Sequence, residues 1–140
     1  MLMPDYPERF IKGIPHSNLI HDGIADQELF AFHDRDIRAD GWIEQSINWD
    51  DDEETISFTI SQIKPNGEIH FKAGVALVLT EELERLKRRT TYRGKVDYER
   101  NEKDGNPYHG NLLVINTLSK PTRKAISAYL AVVSEIVPRT

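Results

Sequence analysis

Apolar and polar side chains alternate most clearly in the middle of the chain. In residues 55–61 apolar side chains alternate with hydroxyl-bearing ones, and the same alternation returns over 69–79. The connecting Lys64-Pro65-Asn66-Gly67-Glu68 contains an Asn-Gly pair, which supplies the positive φ that hairpin turns need. Residues 42–49 alternate as well. The pattern predicts a three-stranded antiparallel β-meander over 42–79 with one apolar face.

Two segments have the spacing of helices. In 120–137, apolar residues recur every three or four positions, Pro121 suits a first turn, and Pro138 is expected to end the helix. A short middle helix is predicted from Thr80 to Arg89, because acidic residues open the segment and basic residues close it, as the helix dipole favours. The C-terminal helix is expected to cover the apolar face of the meander. The predicted fold class is therefore α+β.

The rest of the chain has weaker patterns. Residues 1–17 contain three prolines and no clear period, which is typical of an irregular N-terminal arm. Residues 18–32 fit a short helix or a strand. A strand is expected over 91–99, although Gly94 weakens that prediction, and 101–111 is expected to be a loop that leads into a buried strand at 112–115. A chain of 140 residues has the usual size of one domain, so 1–140 is predicted to be a single α+β domain.

Composition narrows the class of protein. Apolar residues make up 39% and charged residues 29%, and no apolar run approaches the ~20 residues that span a bilayer. The first residues do not resemble a secretory signal. The absence of cysteine excludes disulfides, cysteine-based zinc sites and a cysteine nucleophile, and we expect a cytoplasmic protein.

Familiar catalytic and cofactor motifs are missing. The chain has no glycine-rich phosphate loop, no dinucleotide fingerprint, no nucleophile elbow and no His-Glu-x-x-His. No cofactor is therefore predicted, and a non-enzymatic role is favoured while an enzyme stays open.

The segment Asn106-Pro107-Tyr108-His109-Gly110-Asn111 is a candidate binding loop. Pro107 stiffens it, and Tyr108, His109 and Asn111 offer hydrogen-bonding groups and an aromatic face. His109 is a candidate general base near neutral pH. The alternative is a rigid turn that only feeds the next strand.

Charge is distributed unevenly along the chain. Between Arg85 and Lys103 lie eight basic and three acidic residues, whereas the remainder has ten basic and twenty acidic ones and the whole chain carries −5. Within this stretch Arg88, Arg89, Arg93 and Tyr92 are candidate binding residues, because cations mixed with aromatics suit phosphate contact and base stacking. An acidic protein partner would fit the same stretch.

Two further clusters contain metal-ligand residue types. Residues 16–40 hold three histidines and six carboxylates, but their spacing matches no known ligand signature. The five acids of 50–54 are interpreted as a solvated turn rather than a cation site. No metal site is therefore predicted in either cluster, although ordinary ligands are present.

Three functions follow as hypotheses. The first is a small non-enzymatic accessory protein that docks on a protein partner, suggested by the small size, the uneven charge and the absent motifs. The alternatives are a metal-dependent hydrolase or nuclease that uses histidines, and a nucleic-acid-binding module that uses the basic stretch 85–103. A homodimer formed through an edge strand of the meander or through an uncovered part of the C-terminal helix is also open.

Overall fold

The computed structural model describes residues 6–139. These residues form eight β-strands, three α-helices and four short 3-10 turns. The strands are β1 Arg9–Ile14, β2 Ile20–His21, β3 Ile24–Ala25, β4 Trp42–Trp49, β5 Gly74–Leu79, β6 Val96–Arg100, β7 His109–Ile115 and β8 Glu135–Pro138. The helices are α1 Thr55–Ile60, α2 Thr80–Arg88 and α3 Lys120–Val133. The 3-10 turns are Ser17–Leu19, Gln27–Phe30, Asp34–Asp36 and Thr90–Tyr92.

Six of the strands form one antiparallel sheet in the order β6-β7-β4-β1-β5-β8, and β2 and β3 form a separate two-stranded ribbon. The predicted fold class is confirmed, since an antiparallel sheet is combined with a C-terminal helix and a middle helix. None of the helices within residues 6–139 combines the length and the apolar character needed to cross a membrane.

Strand β1 lies at the centre of the sheet, between β4 and β5. The prediction of an irregular arm over 1–17 is therefore wrong for Arg9–Ile14, while residues 1–5 lie outside the described part of the chain. Phe10 and Ile11 are both fully buried, although they point to opposite faces of the sheet. In a strand that is covered on both faces, apolar residues are not restricted to every second position. The alternation of apolar and polar residues therefore does not reveal this strand.

The two faces of the sheet have different coverings. On one face, Phe10, Val78 and Val114 share a core with Leu83 of α2 and Leu130 of α3. On the opposite face a smaller core joins Ile11, Val75 and Leu77 to side chains of α1 and β8. Helices α2 and α3 thus pack on the face opposite to α1, and the larger core lies under α2 and α3.

The segment 55–61, predicted as a strand, is instead the helix α1. Its residues fit both periods, because Ile56 and Ile60 alternate with polar residues and also lie one helical turn apart. As a helix, the segment places Ile56 and Ile60 together against the core around Ile11. Just before the helix, the Asp52 carboxylate accepts hydrogen bonds from the Glu54 backbone nitrogen at 2.8 Å and from the Thr55 hydroxyl at 3.3 Å. Carboxylates that accept backbone N–H groups favour the start of a helix.

Consequently, 42–79 is not a three-stranded meander. The strand predicted over 42–49 is confirmed, but β4 pairs with β7 and β1 instead of with β5. The predicted turn is present, with Gly67 at a φ of 87° and the Lys64 nitrogen donating to the Glu68 oxygen. It is closed by a single bridge between Ile63 and Ile69, and the strand that follows begins only at Gly74.

The C-terminal helix ends earlier than predicted. Ser119 caps its start by accepting from the Thr122 backbone nitrogen, and Pro121 lies in the first turn, as expected. The helix stops at Val133, and Glu135–Pro138 forms the edge strand β8, in which Val137 pairs with Val75. The apolar spacing of 136–137 continues the helical period, but pairing with β5 overrides it.

The remaining segments are mostly short and irregular. Residues 18–32, left open between helix and strand, contain the β2–β3 ribbon and 3-10 turns. The strand expected over 91–99 is confined to β6, and the loop predicted over 101–111 ends at His109, where β7 begins.

Candidate ligand-binding site

A cleft opens where strands β1 and β4 separate. The two strands pair only at Phe10–Trp49 and Ile11–Asn48, although β1 continues to Ile14 alongside β5. The cavity between them has a volume of about 550 Å³, which lies within the range of roughly 300–1,000 Å³ that small-molecule sites occupy. We call this cavity the cleft. Its apolar lining residues include Ile11, Leu19, Leu29, Ile47 and Phe71.

The side chain of Lys12 bridges the gap between the two strands. Its Nζ donates a hydrogen bond of 2.8 Å to the backbone oxygen of Ser46. No carboxylate of the described residues lies within ion-pair distance of Lys12, and the attraction of Asp36 acts only at longer range. Burial lowers the Lys12 pKa from 10.5 to about 8. At that pKa about a tenth of the amines are neutral at pH 7, far more than for an exposed lysine.

His109, the first residue of β7, lines the same cleft. It is only 6% exposed, and its Nδ1 lies 2.8 Å from the backbone oxygen of Asn101. Because a carbonyl oxygen can only accept, we assign the proton to Nδ1, which leaves Nε2 as a hydrogen-bond acceptor. Nε2 has no hydrogen-bond partner among the described residues. Burial lowers the His109 pKa, so the ring is neutral at pH 7.

Buried amides fix one wall of the cleft. Asn106 Nδ2 donates to Asn48 Oδ1 at 2.9 Å, and Asn48 Nδ2 donates to Thr59 Oγ1 at 2.8 Å. The Thr59 hydroxyl in turn donates to the Thr55 backbone oxygen at 2.8 Å. This chain of hydrogen bonds ties the loop before β7 to β4 and α1. A buried network whose members are all paired holds its side chains in one arrangement.

His70 and Phe71 form another wall. Their rings are stacked with centroids 4.1 Å apart. Phe71 lies so close to Gly13 that a Cβ at that position would be 2.3 Å from the ring, so only glycine is compatible with this wall. The His70 pKa is lowered, first by burial and then by the charges of Lys64 and Lys12. His70 is therefore mostly neutral at pH 7.

The ionisable lining of the cleft contains four bases, Lys12, His70, Lys103 and His109, and the two acids Glu28 and Asp104. Because both histidines are mostly neutral at pH 7, the two lysines and the two carboxylates carry its charge. Glu28 already faces His33, 3.6 Å away, whereas neither lining lysine has an ion-pair partner among residues 6–139. Amides and hydroxyls complete the polar lining. Such a cleft provides donors and cations for an anionic group beside apolar surface for a carbon skeleton.

The predicted binding loop contributes Asn106 and His109 to this cleft. Tyr108 packs on Phe58, with ring centroids 5.2 Å apart, and its hydroxyl lies 3.3 Å from a carboxylate oxygen of Asp52. Burial, with Asp52 nearby, raises the Tyr108 pKa. Asn111 is 1% exposed and donates to Glu99 at 2.8 Å and to Glu44 at 3.3 Å. Neither Tyr108 nor Asn111 lines the cleft.

The predicted basic residues lie elsewhere. Arg88, Arg89, Arg93 and Lys95, which we call the basic surface, are exposed and have no carboxylate partner among residues 6–139. Arg89 lies over the rings of Tyr129 and Tyr92, 5.1 and 5.9 Å from their centroids. Of the other basic residues of 85–103, Lys87 is paired with Asp97 at 3.0 Å, whereas Lys103 has no ion-pair partner among the described residues and lines the cleft. The four residues of the basic surface do not line the cleft.

The histidines of 16–40 do not converge. His21 contacts Asp26 at 3.0 Å and His33 faces Glu28. Within residues 6–139 no group of three or more His, Asp or Glu side chains is positioned to hold a metal ion. The hypothesis of a metal-dependent hydrolase or nuclease therefore lacks a set of metal ligands among these residues.

The acidic run 50–54 is more than a solvated turn. Asp50 forms an ion pair with Arg9 at 2.8 Å, Asp51 pairs with Arg100 at 2.5 Å, and Asp52 accepts a hydrogen bond from the Glu54 backbone nitrogen just before helix α1. Asp50 and Asp51 thus anchor the segment between β4 and α1 to β1 and β6.

Sequence reasoning missed Lys12, Asn48 and His70 as site residues. One signal was available for Lys12, which is the only charged residue in the apolar run Phe10–Ile14. A charged side chain in a buried strand needs a partner or a function.

Comparisons with models of protein families, with curated proteins and with solved structures find no match for the chain.

Proposed function

We propose that the protein binds a small organic anion in the cleft between β1 and β4. The observation that carries this proposal is the position of Lys12, a partly buried amine that lines the cleft with no carboxylate partner among the described residues. Removing a cation from water without a counterion is unfavourable, and an anionic ligand would offset that penalty.

The rest of the lining supports the same class of ligand. His109 offers Nε2, which has no partner among the described residues, and on protonation that nitrogen becomes a second cationic donor. Asn106 and Gln62 contribute amides, while Leu29 and Phe71 contribute apolar surface. A carboxylate or phosphate on a short carbon skeleton would satisfy both parts of the lining.

The experiment is a thermal-denaturation series with acetate, lactate, pyruvate, benzoate and inorganic phosphate at constant ionic strength. A ligand that binds only the folded state raises the melting temperature in a saturable manner. We expect at least one organic anion to do so, with the effect lost in Lys12→Met and kept in Lys72→Met. Lys72 is an exposed lysine that pairs with Glu68, 3.7 Å away, and is the matched control. No saturable shift with any anion, or equal shifts in Lys12→Met, would overturn the proposal.

A second candidate function is contact with a nucleic-acid backbone through the basic surface. It is favoured by the four exposed cations that lack carboxylate partners and lie beside Tyr92. Anisotropy of a labelled oligonucleotide should report binding that weakens steeply with salt and disappears in the double variant Arg88→Glu/Arg89→Glu. The control Lys64→Glu/Lys72→Glu has the same net charge. Undetectable binding, or equal loss in both double variants, would contradict this function.

Docking on a protein partner and homodimer formation remain predictions from the sequence. Both concern surfaces outside the cleft and are compatible with an anion held within it.

A further inference from the structure

We propose that a second cavity, between helix α3 and the segment 27–34, binds a phosphate group. This cavity, which we call the α3 cavity, has a volume of about 330 Å³, which is enough for a small phosphorylated molecule. Of the described residues, only Glu28 lines both the α3 cavity and the cleft. The inference therefore concerns a different site and does not rest on the function proposed for the cleft.

The guanidinium of Arg123 is the main observation. Its side chain lines the α3 cavity and is only 9% exposed. Nη1 donates to Asp34 Oδ1 at 2.8 Å and to the Phe32 backbone oxygen at 3.3 Å. Nε and Nη2 have no hydrogen-bond partner among residues 6–139, and of the two only Nε is sealed from solvent. Nη2 thus offers the unused donors of a buried, permanently charged group to a ligand in the cavity.

Two lysines of α3 line the same cavity. Lys120 Nζ lies 3.4 Å from Asp34 Oδ2, so one carboxylate holds Lys120 and Arg123 beside each other. These two cations, Arg123 first, keep the pKa of Asp34 below its ordinary value. Lys124 is exposed and has no ion-pair partner within the described part of the chain.

The balance of charge favours a phosphate group over a carboxylate. Three cations of α3 lie against the single carboxylate of Asp34, which leaves an excess of two positive charges. Glu28, the other acid of the lining, faces His33, 3.6 Å away. A phosphate monoester carries a charge of about −1.5 to −2 at pH 7, so it matches this excess, whereas a carboxylate matches about half of it.

The position of these cations within α3 points to the same ligand. Lys120, Arg123 and Lys124 all lie in the first five residues of the helix, and its first turn contains no acid. The N-terminus is the positive end of the helix dipole, which attracts anions and repels cations. Helix α2 follows the ordinary rule, with acids in its first turn and bases in its last. An anion in the α3 cavity would offset the repulsion at the start of α3.

The wall opposite α3 is held in place without a ligand. Ser127 Oγ donates to the Phe30 backbone oxygen at 2.6 Å. Gln45 Nε2 donates to the same oxygen at 2.9 Å and to the Ala31 oxygen at 3.2 Å. These bonds tie the segment 27–34 to α3 and to β4, so binding requires little ordering of the protein.

The test is a titration of the ¹⁵N-labelled full chain with inorganic phosphate and with glycerol 3-phosphate at constant ionic strength. We expect saturable shifts in ¹H–¹⁵N spectra at His33, Arg123, Lys124 and Ser127. The variants Lys124→Met and Arg123→Lys should weaken binding by about tenfold or more, because each removes a charge-assisted contact. Lys12→Met, in the cleft, and Lys72→Met, at an exposed ion pair, should bind as the natural chain does. Unfolding curves establish that each variant is folded, and Lys124 is exposed, so its replacement leaves the core intact.

The outcomes separate this site from the cleft. Shifts at the α3 cavity that are lost in Lys124→Met and kept in Lys12→Met support the proposal. Tighter binding of glycerol 3-phosphate then identifies a phosphate ester as the ligand, and tighter binding of inorganic phosphate identifies the free ion. Shifts that disappear in Lys12→Met instead place the anion in the cleft and overturn the proposal, as does equal weakening in Lys72→Met and Lys124→Met. The absence of any saturable shift with either phosphate also overturns it and leaves the binding of organic anions in the cleft untouched.

Discussion

The side chain of Lys12 and the backbone oxygen of Ser46 are joined by a 2.8 Å hydrogen bond across the gap between two neighbouring strands. These residues are 34 positions apart in the sequence. Where β1 and β4 remain paired, at Phe10 and Ile11, backbone hydrogen bonds connect the strands. Beyond Ile11 a lysine side chain makes the connection, and the cleft occupies the space that the missing ladder leaves.

Lys12 is expected to make stability depend on pH in the alkaline range. Its pKa is about 8 in the folded protein and 10.5 as the ordinary value, so between these values the unfolded chain binds more protons. Below about pH 8 the buried charge of Lys12 lowers the free energy of unfolding, and this penalty disappears as the pH rises toward 10.5. Relative to Lys12→Met, the free energy of unfolding of the natural chain should rise by about 1–3 kcal/mol across this window. Urea denaturation at several pH values measures it, and parallel profiles for the two proteins would contradict the assignment.

His109 is expected to destabilise the fold in acid. Its pKa is lowered by burial, so as the pH falls below about 6.5 the unfolded chain takes up a proton before the folded chain does. Stability is fully present above that pH and is lost as the pH falls toward the lower folded pKa. His109→Gln should therefore lose less stability between about pH 7 and pH 5. His16→Gln, at an exposed histidine, is the matched control, and an equal change in the acid profile of both variants would contradict a role for the burial of His109.

Gly110 is expected to tolerate no side chain. A Cβ at this position would lie 2.1 Å from Trp49 Nε1 and 2.5 Å from the backbone oxygen of Glu99, across the hydrogen bond that joins these two groups. Gly110→Ala should cost about 3 kcal/mol or more, as overpacking in a rigid core does. At Gly105 the space is open and only the positive φ of 78° opposes a side chain, so Gly105→Ala should cost about 1 kcal/mol. Thermal denaturation of the two variants compares them, and equal losses would contradict the packing at Trp49.

Asn48 and Asn106 are expected to be energetically coupled. Their side chains share a buried hydrogen bond of 2.9 Å that fixes one wall of the cleft. Truncating either residue leaves the other with an unpaired buried group, which costs about 1–3 kcal/mol. In a double-mutant cycle with Asn48→Ala and Asn106→Ala, the stability lost by the double variant should be smaller than the sum of the two single losses by about 1 kcal/mol or more. Strictly additive losses would show that the wall is not one network.

Local patterns predicted the elements that local forces determine. The middle helix follows from the charges at its two ends and the start of α3 from Ser119 and Pro121, while the strand 42–49 follows from its own alternation. Residues 55–60 and 136–137 fit two periods at once, and long-range contacts accompany the conformations that they adopt: Ile56 and Ile60 pack near Ile11, and Val137 pairs with Val75. Strand β1 could not be predicted from alternation, because both of its faces are buried by residues from distant parts of the chain.

The candidate site was only partly predictable for the same reason. His109 was identifiable from its own loop, because its residue type and its flanking residues are local features. The cleft arises where β1 separates from β4, a long-range event that no single segment encodes. Lys12 acquires its lowered pKa and its contact with Ser46 only through that event.

The most direct test of the anion-binding site is a titration of the ¹⁵N-labelled chain with lactate, followed by ¹H–¹⁵N correlation spectra. Lactate carries a carboxylate on a short carbon skeleton, which is the class of ligand proposed for the cleft. We predict saturable shifts concentrated at Lys12, Ser46, Asn48 and His109, and their loss in Lys12→Met. Shifts spread over exposed lysines such as Lys95 and Lys124, or no saturable shift at all, would contradict the account.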